Sequence, residues 1–422
     1  MKEILLKDEV KVKLTGTDIN LLEKEIKTEL QELGKRLLEQ MLMRIDVQLL
    51  LKKTKCECGK RKWRHRGRVK RKVISIVGEV EFSRVKLKCY HCGKIKYPLD
   101  EVLNLRENSN MTLGLIEQSL YLATDTVYDK ASENMKRLTG IKISGRQIQN
   151  IAKEEGERLK AQAQKARAEI FEKNSIPVKE EERNRVFVQV DGTFVKNRNK
   201  TKSRSMECKV GIIYSKTAQV SKNRRKILDK RTYATTLGVE GFREEFIAEC
   251  NRWGVWDAKE ILFVGDGAIW IKNICAEDFQ NAIYLLDFWH LTGHIAKALG
   301  EDHRRASDNW IAEIRETYDA KLLLNRIKSL YARIRDPDRQ KKLRDLYSYV
   351  KSNEDGINNW KTVNCLGASG AIEKTVDVSV ARRFKRRGMS WLNPGLSSLL
   401  ALRVLKLNGD WESYWRLRGV PL

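Results

Sequence analysis

Val186-Phe-Val-Gln-Val-Asp191-Gly-Thr-Phe194 and Ile261-Leu-Phe-Val-Gly-Asp266-Gly-Ala268 are two apolar runs of strand length, each ending in an aspartate followed by glycine. Branched and aromatic residues in short runs bounded by glycine read as buried strands. An unpaired carboxylate at the mouth of such a strand is costly, so it must face a metal, a cation or water. One shared divalent metal explains both aspartates.

Outward from these two runs, residues 206–214 and 231–237 read as strands, 241–250 as a helix and 282–286 as a further strand. Three strands followed by alternating helix and strand is the order of an α/β ribonuclease H-like core. Such a core brings the tips of its first and fourth strands together, where Asp191 and Asp266 fall. Two-metal phosphoryl transfer generally uses a third carboxylate. Glu373 in Ala368-Ser-Gly-Ala-Ile-Glu373-Lys-Thr-Val-Asp377 is the preferred candidate, and Asp377, four residues on, is the alternative. The helical pattern from 290 to 351 reads as an α-helical insertion into this core.

Two cysteine pairs, Cys56-Glu-Cys58-Gly and Cys89-Tyr-His-Cys92-Gly, flank a β-like segment. They suit a zinc ribbon, although the first pair is Cys-x-Cys rather than Cys-x-x-Cys. Vestigial cysteines are the alternative, as are His65 or His91 as substitute ligands. The basic run 60–72 between the pairs reads as a phosphate-contacting surface or as a solvated loop. Ahead of it, residues 19–51 form an amphipathic helix that packs on the chain or self-associates. Beyond it, residues 109–160 are helical with a break at Gly140. There Ser144 caps a helix presenting Arg146, Gln147 and Gln149. This is the form of a helix-turn-helix reading DNA, or of an ordinary helical hairpin. Arg382, Arg383, Lys385, Arg386 and Arg387, with Trp391, sit beside Glu373 and suit phosphate contact and base stacking.

The reading divides the chain into an amphipathic helix (1–52), a zinc-ribbon-like region (53–106) and a helix-turn-helix-like region (107–180). A catalytic domain (181–299 and 361–422) then surrounds an insertion (300–360). With 422 residues, 41% hydrophobic, the chain can bury two or three cores. Lys and Arg number 83 against 56 Asp and Glu, a net +27 that favours a polyanion such as DNA. No apolar run reaches membrane-spanning length, and no signal-peptide pattern opens the sequence, so a cytoplasmic protein without a membrane partner is expected.

Seven segments in order resemble DDE transposases of bacterial insertion sequences, of the ISLre type and related to Mutator-like transposases. They are 78–84, 97–105, Val190-Asp-Gly-Thr-Phe-Val-Lys, Gly265-Asp-Gly-Ala-Ile-Trp-Ile, Asp287-Phe-Trp-His290 and Ser369-Gly-Ala-Ile-Glu373, followed by Arg387-Gly-Met-Ser-Trp391. The resemblance implies a metal-binding triad of Asp191, Asp266 and Glu373. It makes Asp287 and His290 an Asp-x-x-His signature near that triad. His290 and His294, one helical turn apart, could form a metal pair or a general acid site, but His290 is read as a hydrogen-bonded or DNA-phosphate contact near the site rather than as a metal ligand. The chemistry implied is cleavage at the element ends with Mg2+ or Mn2+, followed by in-line attack of the freed 3′-OH on target DNA. Double-stranded DNA, as terminal inverted repeats and target, and a homo-oligomer on DNA are the implied partners. A ribonuclease H-like nuclease and a domesticated, non-catalytic DNA-binding protein are the competing functions.

Overall fold

The computed structural model describes residues 16, 18–50, 56–60, 62–105, 109–173, 183–199, 203–221, 224–300, 303–363 and 370–420. The charged stretch 179–182 and residues 364–369, with Cys365, Ala368 and Ser369 of the segment before Glu373, lie outside them. The fold is mixed α/β and mostly helical. Among the described residues no helix is long and apolar enough to cross a membrane.

The chain forms two compact units, residues 1–151 with 410–422 and residues 152–409. In the first, α1 (Ile19–Leu50) precedes a hairpin of β1 (Trp63–Ser75) and β2 (Gly78–Cys89), extended by β3 (Ile95–Lys96). Then come α2 (Pro98–Val102), α3 (Leu113–Ala123), α4 (Tyr128–Thr139) and α5 (Gly145–Lys173), within which the unit boundary falls. In the second unit β4 (Arg185–Lys196), β5 (Ser205–Ser221), β6 (Arg224–Thr235), α6 (Val239–Trp253), β7 (Glu260–Gly265), α7 (Ile269–Asp278) and β8 (Ala282–Leu286) make the sheet and one helical layer. Helices α8 (Phe288–Leu299), α9 (Arg304–Thr317), α10 (Ala320–Arg333), α11 (Pro337–Ser352) and α12 (Glu354–Asn358) follow. After them come α13 (Ala371–Val376), a π-helical turn (Asp377–Ala381), α14 (Arg382–Phe384) and α15 (Asn393–Leu407). The last helix, α16 (Trp411–Leu417), belongs to the first unit.

In that unit the ribbon buries Val73, Val80 and Phe82 against Leu42 of α1 and Leu99 of α2. The basic stretch is strand β1 rather than a loop. Its Arg71 is buried in an ion pair with Asp100 at 2.5 Å. Half of α1 uses its apolar stripe on the ribbon, while Ile19, Leu21, Ile26 and Leu30 stay exposed. Residues 410–422 group here, and not with the 361–409 segment, because Trp411 stacks edge-on against Tyr121 of α3 at 5.5 Å and donates to Glu117 at 2.6 Å.

The five-stranded sheet runs β6-β5-β4-β7-β8, with β4 antiparallel to β5 and parallel to β7, which is parallel to β8. Alternation along β7 sends Ile261 and Phe263 toward α6 and α7, and Leu262 and Val264 toward α8 to α12. A parallel strand covered on both faces is continuously apolar, as these runs are. Helices α9 to α11 share one core with the sheet: Trp310, Ile314, Leu323 and Leu343 pack with Leu262 and Leu285. The insertion is therefore a layer on the sheet and not a separate body.

Packing is tight at Gly211 of β5, where a Cβ would lie 2.3 Å from Phe246 of α6. Gly211→Ala is expected to lower stability by about 1–3 kcal/mol through overpacking. A shift of the urea midpoint with unchanged slope would register it, and an unshifted midpoint would contradict this packing.

Candidate active site

Register brings the two opening aspartates together. β4 and β7 pair in parallel through Gln189↔Val264, and each aspartate stands two residues beyond that pair. Asp287 follows the end of β8, whose Leu286 pairs with Gly265. Thus three adjacent parallel strands deliver carboxylates to one end of the sheet, the carboxyl end where open α/β sheets place ligands.

Local hydrogen bonds set each side chain. Gly192 N–H donates to Asp191 Oδ1 at 2.6 Å, and Ala268 N–H to Asp266 Oδ1 at 2.7 Å. Asp287 caps α8, accepting from Trp289 N–H at 2.9 Å, while its own N–H donates to the Gly265 carbonyl at 2.8 Å. The cap places His290 in the first turn of α8. Tyr349 of α11 donates to the Asp266 carbonyl at 2.7 Å and stacks on His294 with ring centroids 3.9 Å apart.

Glu373 arrives from α13. The first N–H groups of a helix have no intrahelical partner. Here the Ile372 N–H donates to Gln189 Oε1 at 3.0 Å, and Gln189, fully buried in β4, also donates to Tyr214 Oη at 3.1 Å. Gln189 thereby ties the residue next to Glu373 to the strand that carries Asp191. It is a positioning group that the sequence reading missed, and its signal was one polar residue inside an apolar core strand.

Ligand atoms of Asp287, His290 and Glu373 all lie within 4.8 Å of one another, with His290 Nε2 3.6 Å from Glu373 Oε1. Both Glu373 carboxylate oxygens are buried without a hydrogen-bond donor among the described residues. Burial, then the neighbouring Asp287 and Asp191 carboxylates, push the Glu373 carboxyl up to about 8. Asp191 is also raised, chiefly by burial and further by Asp266 and Asp287, against the opposing pull of His290 and the Gly192 N–H. Burial and His290 depress His294. The close group is thus Asp287, His290 and Glu373, with Asp191 and Asp266 near enough to interact electrostatically but not among the mutually close ligand atoms. This donor set fits a hard divalent cation, whose charge would offset the repulsion that raises the Glu373 and Asp191 carboxyls. Asp287 and His290, expected only near the site, stand inside this cluster.

Other expected site residues lie elsewhere. Asp377 opens the π-helical turn and faces cations rather than the cluster. It pairs with Arg382 at 2.9 Å and Lys374 at 3.1 Å, and its carboxyl is lowered by them. Arg383 is buried beside the Phe384 and Trp391 rings, 5.6 and 5.2 Å from their centroids, so it is not presented to DNA. Trp391 is 9% exposed and donates to the Phe384 carbonyl at 3.1 Å, so it serves the core and not base stacking. Arg382, Lys385, Arg386 and Arg387 are exposed, with Lys385 bonded to Thr193 Oγ1 of β4. At the start of α5, Gln147 accepts from Ser144 N–H at 3.0 Å while its own N–H meets Ser144 Oγ at 3.2 Å, the reciprocal cap of a Ser-x-x-Gln box. That cap occupies the Gln147 side chain, while Arg146 is exposed and donates to Gln149 at 3.3 Å.

In the first unit a second cluster forms: ligand atoms of Cys56, Cys58, Cys89 and Cys92 lie within 4.8 Å of one another. Gly59 and Gly93 follow the two pairs at φ +79° and +74°, turning the chain tightly enough to aim both thiols of each pair inward. Four mutually close thiols fit a tetrahedral zinc site.

A family model described as an uncharacterised protein family, UPF0236, matches residues 13–417. Two UPF0236 proteins of Caldanaerobacter subterraneus subsp. tengcongensis are each 23% identical, over 399 and 402 residues, covering 93% of this chain and 79% of their own length. Among solved structures, a chain of a pre-cleavage Mos1 transpososome aligns over 57% of this chain and 78% of its own at 10% identity. Its TM-score of 0.13 carries no argument about fold or function.

Proposed function

We propose that this chain, which belongs to the uncharacterised family UPF0236, is a metal-dependent DNA transposase of the DDE type with a ribonuclease H-like catalytic core. The observation that carries the reading is the close cluster of Asp287, His290 and Glu373 beside Asp191 and Asp266, which the parallel pairing of β4, β7 and β8 brings to the same end of the sheet and which interact electrostatically with it. The strand order, three antiparallel strands followed by two parallel ones beside the first, is that of ribonuclease H-like cores and supports the same reading.

The carboxylates and His290 would hold Mg2+ or Mn2+. When bound, such ions supply Lewis-acid charge at a phosphodiester and make water or a 3′-OH a better nucleophile. The chain's own part is orientation. Backbone N–H groups of Gly192, Ala268 and Trp289 aim three of the carboxylates, Gln189 seats the helix bearing Glu373, and the α8 cap sets His290 beside Glu373. Exposed Arg382, Arg386 and Arg387 suit phosphate contact next to this site, and Arg146 on α5 suits a DNA-reading helix. Two element ends brought together call for at least two protomers, so the active form is read as a homo-oligomer on DNA. In the first unit the four thiols are read as a structural zinc ribbon.

The test is incubation of the full chain with Mg2+ and labelled DNA carrying the terminal repeats that flank its reading frame. End nicking followed by joining to target supports a transposase. Cleavage without joining would favour a nuclease, and binding with no cleavage would remove both enzyme readings. Asp377→Asn is expected to leave the cleavage rate within about twofold, because an exposed ion pair contributes little. A fall in rate comparable to that of Glu373→Gln would restore Asp377 as the third carboxylate.

A further inference from the structure

The β1–β2 ribbon treats its cations differently at its two ends. Near the turn, Lys70 meets Glu81 at 2.8 Å and Lys72 meets Glu79 at 3.2 Å. At the cysteine end, Arg64 stands directly opposite Lys88, Lys86 lies two residues along β2 on the same face, and Arg66 sits in the irregularity between His65 and Arg68. Among the described residues none of these four meets a carboxylate within ion-pair distance. Like charges directly opposed across a ribbon are destabilising. A chain that neutralises one end of a hairpin and crowds bare cations at the other points to an external anion.

We propose that this end of the ribbon is a docking surface for the phosphate backbone of duplex DNA. Arg64, Arg66 and Lys88 are exposed, and the Arg64 guanidinium is held 4.2 Å over the Tyr90 ring, which fixes it without neutralising it. A two-stranded ribbon fits the width of the DNA major groove. An anionic membrane surface is the poorer fit, because binding there also needs apolar side chains to bury. Among the described residues, exposed apolar surface in this patch is limited to the Tyr90 ring, over which Arg64 lies, and to Ile95, paired with Lys88. The four mutually close thiols lie at this end of the ribbon, where Trp63 of β1 pairs with Cys89 of β2. The surface lies in the first unit, so a chain unable to cleave would still dock.

The test compares the full chain with the variant Arg64→Gln, Arg66→Gln, Lys86→Gln and Lys88→Gln, using a mixed-sequence DNA duplex and a salt titration. Affinity is expected to fall at least ~10-fold at fixed salt. The slope of log affinity against log salt should become shallower by about 0.9 for each phosphate that the variant leaves unneutralised. Lys70→Gln with Lys72→Gln, at the neutralised end, is expected to change neither. Thermal unfolding shows whether the fourfold variant is folded, and Lys88→Gln alone gives the same slope reading if it is not. Unchanged affinity and slope overturn the proposal, as does a weakening seen only with phosphatidylserine vesicles. Duplex binding measured in EDTA, where metal-dependent cleavage cannot occur, separates failure of this surface from failure of the catalytic reading.

Discussion

Glu373→Gln is expected to lower metal-dependent DNA cleavage by at least ~1000-fold while leaving duplex binding intact. Glutamine keeps the volume and the packing of α13, so the substitution removes charge and little else. Glu373 lies within 4.8 Å of Asp287 and His290, buried without a donor, in a site where burial and neighbouring carboxylates already raise its carboxyl to about 8. Taking a like charge out of that site should leave the metal-free protein at least as stable as before. A chain that loses cleavage but gains or keeps its melting temperature is the signature of a charge needed for a cation rather than for the fold. Asp191→Asn is expected to behave the same way. Cleavage retained within about tenfold in either variant, measured with Mn2+ as well as Mg2+, would remove these carboxylates from the metal site.

Cys89→Ser is expected to take bound zinc from one ion per chain to none and to melt the ribbon end of the first unit. The Cys56 and Cys92 sulfurs lie 3.6 Å apart, and those of Cys58 and Cys89 3.7 Å apart. Backbone N–H groups of Cys92 and His91 help pull the Cys89 thiol down to about 6, which favours its thiolate. Structural zinc in small folds binds with about 10–16 kcal/mol of free energy, and that energy is also folding energy. Metal analysis and protection of β1 and β2 amides from hydrogen exchange would check it. A chain purified without oxidation that carries four titratable thiols, no zinc and full amide protection would overturn the zinc reading. Because β1 also bears the uncompensated cations, Cys89→Ser should weaken duplex binding together with the ribbon.

Much of this site could be read before folding, and its legibility follows from physics. Asp191 and Asp266 announced themselves because a carboxylate following a core apolar run conflicts with its surroundings, and that conflict is local in sequence; β4 itself runs on to Lys196, so Asp191 stands just past its parallel pairing and not at the strand's end. The cysteine pairs and the Ser144 cap are local for the same reason. Residues whose role depends on the phase of a helix were harder. Arg383 and Trp391 looked like part of a basic, aromatic DNA-binding run, yet α14 and the segment after it turn both inward. Gln147 looked free to read bases until its side chain proved to be half of a reciprocal cap.

By itself the sequence determined the apolar strand runs that lead into Asp191 and Asp266, the helices between them, the two cysteine pairs and the excess of positive charge. These follow from periodicity, composition and spacing, which act over a few residues at a time. Tertiary structure alone decided which carboxylates meet. Parallel pairing of β4, β7 and β8 sets their tips level, and the Gln189 contact seats α13 so that Glu373 joins Asp287 and His290. The π-helical turn carries Asp377 out to solvent. Such convergence depends on strand order and helix phase across almost two hundred positions, from Asp191 to Glu373, and no local pattern encodes it.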